Sequence, residues 1–312
     1  MRLGLDIYGG DFAPESTILG AVEARRELPE EIDIVLIGNR DEIKARVEKE
    51  GLDPYRFNYV HTTEFIRMAD HPARAFKNSP NSSIALGFHL LKKGEIDVFA
   101  SAGNSGAMLA GSMFTIRAVE GVIRPSITTA LPCPDGSMTI LLDVGINPDV
   151  KPDVLYQFGI LGSVYAESVF GITEPKVGLL NIGEEEEKGS LLAQAAHGLM
   201  KDSPDFRFVG NVEGRDIFNS DVNVIVCDGF TGNVMLKEAE AFYSMIKKRG
   251  IQDEFFDRFN YELYGGTPVL GVNGNVIIGH GISSPEAIKN MLKHSLDVAK
   301  ARLADKIKNA FQ

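Results

Sequence analysis

The stretch "KVGLLNIGEEEEKGSLLAQAAHGLM", Lys176 to Met200, decides the fold class. "KVGLLNI" is apolar without alternation, the pattern of a strand covered on both faces. "SLLAQAAHGLM" repeats its apolar residues at helical spacing. Strand, polar junction, helix is the unit of a parallel α/β sheet, and the same grammar recurs in both directions along the chain. "RLGLDI" precedes the helical "PESTILGAVEARREL", and "IDIVLIG" precedes "RDEIKARVEKEG". "IDVFASAG" precedes "NSGAMLAGSMFTIRAV", and "VNVIVCDG" precedes "NVMLKEAEAFYSMIKKRG". "SMTILLDVG" and "GNVIIGHG" are further strands, and "KPDVLYQFGILGSVYAESVFG" reads as a long buried helix. The expected architecture is α/β, a mostly parallel sheet flanked by helices.

Composition narrows the function. The 312 residues carry a net charge of −11, 44% apolar and 24% charged residues, an ordinary globular balance. Such acidity argues against nucleic-acid binding. No apolar run reaches the roughly 18 residues of a membrane span. "MRLGLDIYGGD" lacks the form of a signal peptide, so the expected location is cytoplasmic. Cys133 and Cys227 are the only cysteines and have no CxxC spacing, so neither a disulfide framework nor a zinc site is expected. No metal and no cofactor is expected.

Chemistry is expected where strands end. In parallel sheets the loops at the carboxyl edge gather, so small polar groups from several of them can converge on one ligand. Five junctions share a turn of Gly with Ser, Thr, Asn or Asp: "DIYGGDFAPE", "SAGNSGA", "NIGEEEEKGS", "CDGFTGN" and "IIGHGISSPE". In "SAGNSGA", Gly103 and Gly106 let backbone approach an anion, while Ser101, Asn104 and Ser105 offer donors. The same residues also suit a plain capped turn, and the loop is neither GxGxxG nor a P-loop. In "CDGFTGN", Asp228 can accept a proton, and Thr231 and Asn233 can donate to a carbonyl oxygen. The alternative is a turn-forming Asp with Thr231 as helix cap. His280, between two glycines, is placed for acid–base work or for a structural hydrogen bond. Cys227, directly after "VNVIV", reads as a small buried hydrophobe rather than a nucleophile. Glu186 and Glu187 read as helix-start carboxylates favoured by the macrodipole. Glu184, Glu185 and Lys188 stay open, with one glutamate expected to hold Lys188 or an arginine. Consecutive glutamates do not form a cation cage.

Taken in order, "DIYGGDFAPE", "VHTTEFI", "SAGNSGA", "RPSITTALP", "LLDVGIN", "LYQFGILGSVYAE", "LLNIGEEEEKG", "VGNVEGRDIF", "VCDGFTGNVMLK", "YGG" and "IIGHG" resemble the phosphate acyltransferase family of bacterial phospholipid synthesis. The resemblance covers essentially the whole chain. It implies transfer of a fatty acyl group from acyl carrier protein to inorganic phosphate, giving acyl phosphate for a membrane glycerol-3-phosphate acyltransferase. It also implies a homodimer and a fold like phosphotransacetylases and isopropylmalate dehydrogenase, one catalytic unit over 1–312 with two lobes and a cleft. The second lobe is placed at roughly 126–275, with a short helical arm at 239–263. That arm keeps Phe255, Phe256 and Phe259 beside basic residues, so weak peripheral contact at the inner face of the membrane is open.

Departures are Tyr8 where the family commonly has Met, Ile146 where Ala is usual, and Ser79 and Pro80 in a stretch that is commonly basic. On this reading Gly9, Gly10, Asp11, Ser101, Gly103, Asn104, Ser105, Gly106, Asn147, Asn181, Glu184, Glu185 and Lys188 bind phosphate or substrate. Asp228, Thr231, Asn233 and His280 are the catalytic candidates. Carrier docking is expected at a basic cluster such as Lys247, Lys248 and Arg249. Two alternatives stand beside this reading: a nicotinamide-dependent decarboxylating dehydrogenase of similar fold, and a non-enzymatic scaffold for lipid synthesis.

Overall fold

The structure is a computed structural model and describes residues 1–219 and 221–312. The chain forms two compact units, one of Met1–Ala118 with Tyr261–Arg302, the other of Val119–Asn260 with Leu303–Gln312.

In chain order the strands are β1 (Arg2–Asp6), β2 (Asp33–Gly38), β3 (Asn58–His61), β4 (Val98–Ser101), β5 (Ser126–Pro132) and β6 (Met138–Leu142). They continue with β7 (Lys176–Asn181), β8 (Arg207–Glu213), β9 (Val224–Val226), β10 (Thr267–Leu270) and β11 (Asn275–Ile278). The helices are α1 (Glu15–Glu27), α2 (Arg40–Lys49), α3 (Pro72–Asn78), α4 (Ser83–Lys92), α5 (Ser105–Gly111) and α6 (Pro152–Phe170). After them come α7 (Leu191–Met200), α8 (Gly229–Lys248), α9 (Glu254–Asp257), α10 (Pro285–Lys300) and α11 (Leu303–Ala310).

The first unit orders its strands β3-β2-β1-β4-β11-β10, parallel except for β10, which runs antiparallel to β11. The second orders β5-β6-β9-β7-β8, parallel except for β5 against β6. Each is a mostly parallel sheet whose apolar strands are buried on both faces: Leu3, Leu5, Val98, Phe99, Ile140 and Val224 are all fully buried. That is the α/β architecture expected from the continuous apolar runs. The strands β3, β5 and β10 lie outside the expected set; β5 and β10 are Thr- and Pro-containing and joined to antiparallel partners.

Small residues set the helix packing of the first unit. A Cβ on Gly87 would meet the Phe99 ring at 2.1 Å, and one on Gly111 would meet the Phe88 ring at 2.1 Å. These approaches seat Phe76, Phe88 and Phe99 in an edge-on row, with centroid separations of 5.9 and 5.1 Å. After Gly111 the helical chain widens to a π-turn over Ser112–Ile116. In the second unit α6 ends at Gly171, whose φ of 68° supplies the left-handed cap.

Candidate functional site

Asp6 organises the carboxyl edge of the first unit. It is 1% exposed at the end of β1. Its Oδ2 accepts from Ser101 Oγ at 2.7 Å and its Oδ1 accepts from the Tyr8 N–H at 3.0 Å. Ser101 Oγ in turn accepts from the Gly103 N–H at 2.9 Å. Burial pushes the Asp6 carboxyl above the usual carboxylate range, against the lowering effect of these donors. The loops close on it so tightly that a Cβ on Gly9 would lie 2.6 Å from Ser101 Oγ and 2.7 Å from the Gly103 nitrogen. The next loop joins through the Asp11 N–H, which donates to the Gly281 carbonyl at 2.6 Å. The Gly279 N–H donates to the Ser101 carbonyl at 2.9 Å. The structure therefore brings Gly9, Gly10, Asp11, Ser101, Gly103, Asn104, Ser105, Gly106 and His280 to one edge.

Their roles differ from the simplest expectation. Ser101 and Asn104, read as donors to an anion, are committed internally. Asn104 caps α5 by accepting from the Ala107 N–H at 3.0 Å. Its Nδ2 donates to the carbonyls of Arg67, Met68 and Asp70 at 3.0 to 3.2 Å, which ties the chain before α3 to this turn. Ser105 is exposed and Gly106 half-buried, and the first-turn N–H groups of both are ones that a helix cannot bond internally. His280 packs against the Tyr261 ring at a centroid distance of 4.6 Å, and its carbonyl accepts from Ser283 Oγ at 2.6 Å.

The second unit repeats the design around Asp143, fully buried just after β6. Its Oδ2 accepts from the Asn147 N–H at 2.7 Å and from Asn147 Nδ2 at 2.8 Å. Its Oδ1 accepts from the N–H groups of Gly145 and Ile146 at 3.3 Å and of Ile127 at 3.4 Å. Burial again pushes the carboxyl pKa up, opposed by these bonds. The Asn147 carbonyl accepts from the Gly229 N–H at 2.8 Å, which fixes the head of α8 on this loop.

There Asp228 is the helix cap: its Oδ1 accepts from the Thr231 N–H and its Oδ2 from Thr231 Oγ1, both at 2.8 Å. The cap is thus Asp228 and not Thr231, whose hydroxyl proton points to its own capping carboxylate. Asn233 is exposed, with its Nδ2 2.9 Å from the position a Gly145 Cβ would take. Asn147, Asp228, Thr231 and Asn233 form one cluster.

The glutamate run is a loop, not a helix start. α7 begins at Leu191, capped by Ser190. Glu186 and Glu187 therefore lie four or more residues outside the helix, beyond useful reach of its macrodipole. Glu186 pairs with Lys201 at 2.5 Å, and Glu184 lies 3.9 Å from Arg215, with both side chains of the latter pair more than 70% exposed. Lys188 meets Glu185 only through backbone, its N–H donating to the Glu185 carbonyl at 3.1 Å. Asn181 shapes the loop by donating to the Lys188 carbonyl at 3.1 Å. Among the described residues this loop bonds to Lys201, Asn211 and Arg215 and not to the head of α8. No group of three or more His, Cys, Asp or Glu among the described residues is placed to hold a metal ion.

Residues 1–306 match the family model described as "Fatty acid synthesis protein". The phosphate acyltransferase of Dictyoglomus thermophilum is 41% identical, over 98% of this chain and 96% of that protein. The chain belongs to the phosphate acyltransferase family. It is an acyltransferase of fatty acid and phospholipid synthesis. Among solved structures, a phosphotransacetylase from Streptococcus pyogenes matches with a TM-score of 0.66 at 18% identity, over 96% of this chain and 94% of that one. A 4-hydroxythreonine-4-phosphate dehydrogenase from Klebsiella pneumoniae matches at 0.57 and 11%, over 96% and 98%. Both likenesses are of fold.

For a phosphate acyltransferase the position of Cys227 matters. It is 4% exposed, its thiol donates to the Asp143 carbonyl at 3.6 Å, and burial followed by the charges of Asp228 and Asp143 pushes its pKa well up. A thiol so held is a poor nucleophile. Two residues of the site escaped the sequence reading: Asp6 and Asp143. Each sits inside a quoted motif, at the last place of an apolar strand run, where a lone carboxylate is the signal. In the 239–263 region, Phe255 packs on Phe256 and on Phe259, each at a centroid distance of 5.4 Å, and Phe259 packs on Phe218. Arg258 pins this region by donating to the carbonyls of Cys133, Gly136 and Ser137 at 2.8 Å. No helix among the described residues is long and apolar enough to cross a membrane.

Proposed function

We propose that the enzyme transfers a fatty acyl group from acyl carrier protein to inorganic phosphate by direct attack, releasing acyl phosphate and carrier thiol. The observation that carries the direct route is the burial of Cys227 beside two carboxylates, which leaves the edge loops without an activated nucleophile. Phosphate is itself an anionic nucleophile at neutral pH. One of its oxygens forms a bond to the thioester carbonyl carbon, the carbonyl becomes a tetrahedral oxyanion, and the C–S bond breaks. The phosphate proton ends on the departing sulfur. This chemistry asks for orientation and for oxyanion donors rather than for a triad.

In the first unit, the first-turn N–H groups and hydroxyl at Ser105 and Gly106 suit an anion, with Gly9, Gly10, Gly103 and Asp11 shaping the turn and Asp6 holding it through Ser101. In the second, Asn233 carries the exposed amide suited to an oxyanion or a leaving thiol. Thr231 acts through Asp228, and Asn147 through Asp143. His280 is the remaining proton carrier. Asn181, Glu184, Glu185 and Lys188 are assigned the outer margin of substrate binding. A homodimer and hand-over of the product to a membrane glycerol-3-phosphate acyltransferase belong to the same reading.

The test is phosphate-dependent thiol release from acyl carrier protein, with hydroxylamine capture of the acyl phosphate. Cys227→Ala is expected to retain turnover. A trappable acyl-cysteine in the wild type, lost together with activity in that variant, would overturn direct attack.

A further inference from the structure

The first unit carries an open groove of about 730 Å³ lined by Ala73, Arg74, Phe76, Lys77, Asn78 and Phe114. Its floor is apolar, and Phe114 stands 64% exposed at its wall. Arg74 and Lys77 are its charged lining residues, and the sequence that carries them is locally basic. From Arg67 to Lys93 there are five basic residues (Arg67, Arg74, Lys77, Lys92 and Lys93) against one acidic residue, Asp70, in a protein of net charge −11. Of these, Arg67, Arg74, Lys77 and Lys92 make no ion pair among the described residues, and only Lys93 has one, to Glu95 at 3.7 Å. The other basic clusters are partly neutralised: Lys247 pairs with Asp257, and Lys289 and Lys293 pair with Glu27.

We propose that this groove is where the acidic carrier of the acyl donor docks, an inference that rests on the acyl-carrier reading above. Unpaired cations on an acidic protein are what steer and orient an acidic partner. An apolar cleft between them takes an apolar ridge of that partner. A lipid surface is the weaker match, because membranes are engaged by protruding apolar side chains and not by a concave floor. The groove also adjoins the candidate anion turn. Asn104 fastens residues 67–70 to the start of α5, and a Cβ on Gly106 would lie 2.5 Å from the Pro72 side chain at the head of α3. A donor seated along α3 therefore has its thioester arm beside Ser105 and Gly106. This assigns carrier docking to Arg74 and Lys77 and away from Lys247, Lys248 and Arg249.

The test compares two donors that share one acyl thioester: acyl carrier protein, and acyl-pantetheine without a protein. In the Arg74→Glu/Lys77→Glu variant, kcat/KM for the carrier substrate is expected to fall on the order of tenfold at low salt, through KM, and to recover in part at high salt. Acyl-pantetheine turnover is expected to be unchanged, which also reports that the variant is folded. Phe114→Ser, which removes an exposed side chain and leaves no internal void, is expected to raise the carrier KM alone. Reversal of Lys247, Lys248 and Arg249 is expected to change neither donor.

An unchanged carrier KM, or an equal loss with both donors, would overturn the docking site. So would loss of binding to anionic vesicles with carrier kinetics intact. A wild-type enzyme that turns over acyl-pantetheine but not acyl carrier protein would overturn the donor reading itself, and that outcome is visible before any variant is made.

Discussion

Asp143 and the four glutamates at 184–187 are all acidic groups placed shortly after a strand of the second unit. Asp143 is fully buried, and its two oxygens collect five N–H donors from Ile127, Gly145, Ile146 and Asn147. The glutamates are exposed; among the described residues Glu186 pairs with Lys201 and Glu184 lies 3.9 Å from Arg215. A buried charge is costly unless it is hydrogen-bonded, so a lone buried carboxylate forces backbone to gather round it. An exposed one is served by water and organises nothing. Asp6 lies between these extremes: it is buried too, but one of its oxygens is held by a hydroxyl and not by amides.

The largest effect should come from crowding the Asp143 loop. A Cβ at Gly232 would lie 2.0 Å from the Asp143 carbonyl oxygen and 2.9 Å from Cys227 Sγ. Gly232→Ala must push the head of α8 off the loop, and we expect a loss of about 3 kcal/mol or more in unfolding experiments, with turnover abolished. Gly198→Ala, where a Cβ meets nothing within 4 Å, is the matched control and should hold or slightly raise the Tm.

The two buried carboxylates can then be set against each other. Asp143→Asn places an NH2 among amide donors that cannot turn round, which should cost about 2–3 kcal/mol. Asp6→Asn keeps an acceptor for Tyr8 and can donate to Ser101 Oγ, since a hydroxyl both gives and accepts. Its cost should be near 1 kcal/mol. Equal losses in urea unfolding would erase the distinction between amide-held and hydroxyl-held carboxylates.

The same pair makes a pH prediction. Burial raises both pKa values above the ordinary 3.8, so each group holds its proton more tightly folded than unfolded. Its stabilising contribution is present below the unfolded pKa and is lost as pH rises through the folded one. The stability gap between wild type and Asp6→Asn should therefore be widest below pH 3.8 and narrow as the pH rises above it. A gap that widens with pH would mean that the donors outweigh burial.

Much of the fold was legible because continuous apolar runs such as "KVGLLNI" and "IDVFASAG" have one reading, a strand covered on both faces. The strands β5 and β10 were not, because Thr- and Pro-bearing segments such as "SITTALP" and "TPVL" owe their pairing to neighbours distant in sequence. In the site, glycine-rich turns announced where loops converge. Sequence could not say which polar groups face outward. Ser101 and Asn104 have the chemistry of ligand donors, and only their partners, Asp6 and the carbonyls of Arg67, Met68 and Asp70, reveal that they brace the turn. Asp6 and Asp143 were hidden for the opposite reason, since a single Asp ending an apolar run looks like the first residue of a turn.

The smallest effect is expected where the sequence is loudest. Glu184→Gln/Glu185→Gln removes two charges from the exposed run. Only one of them has an ion pair among the described residues, the 3.9 Å contact with Arg215, and exposed pairs are worth at most about 1 kcal/mol. Asn181, which shapes the loop by donating to the Lys188 carbonyl, is untouched, so the Tm should stay within error. Turnover is the discriminating readout. If these glutamates border the substrate, neutralising them should shift the KM for phosphate, and the shift should shrink as salt is added. If phosphate KM, carrier KM and kcat all stay at wild-type values, Glu184 and Glu185 belong to a solvated loop: unlike the buried Asp143, these two exposed carboxylates organise nothing that the reaction uses.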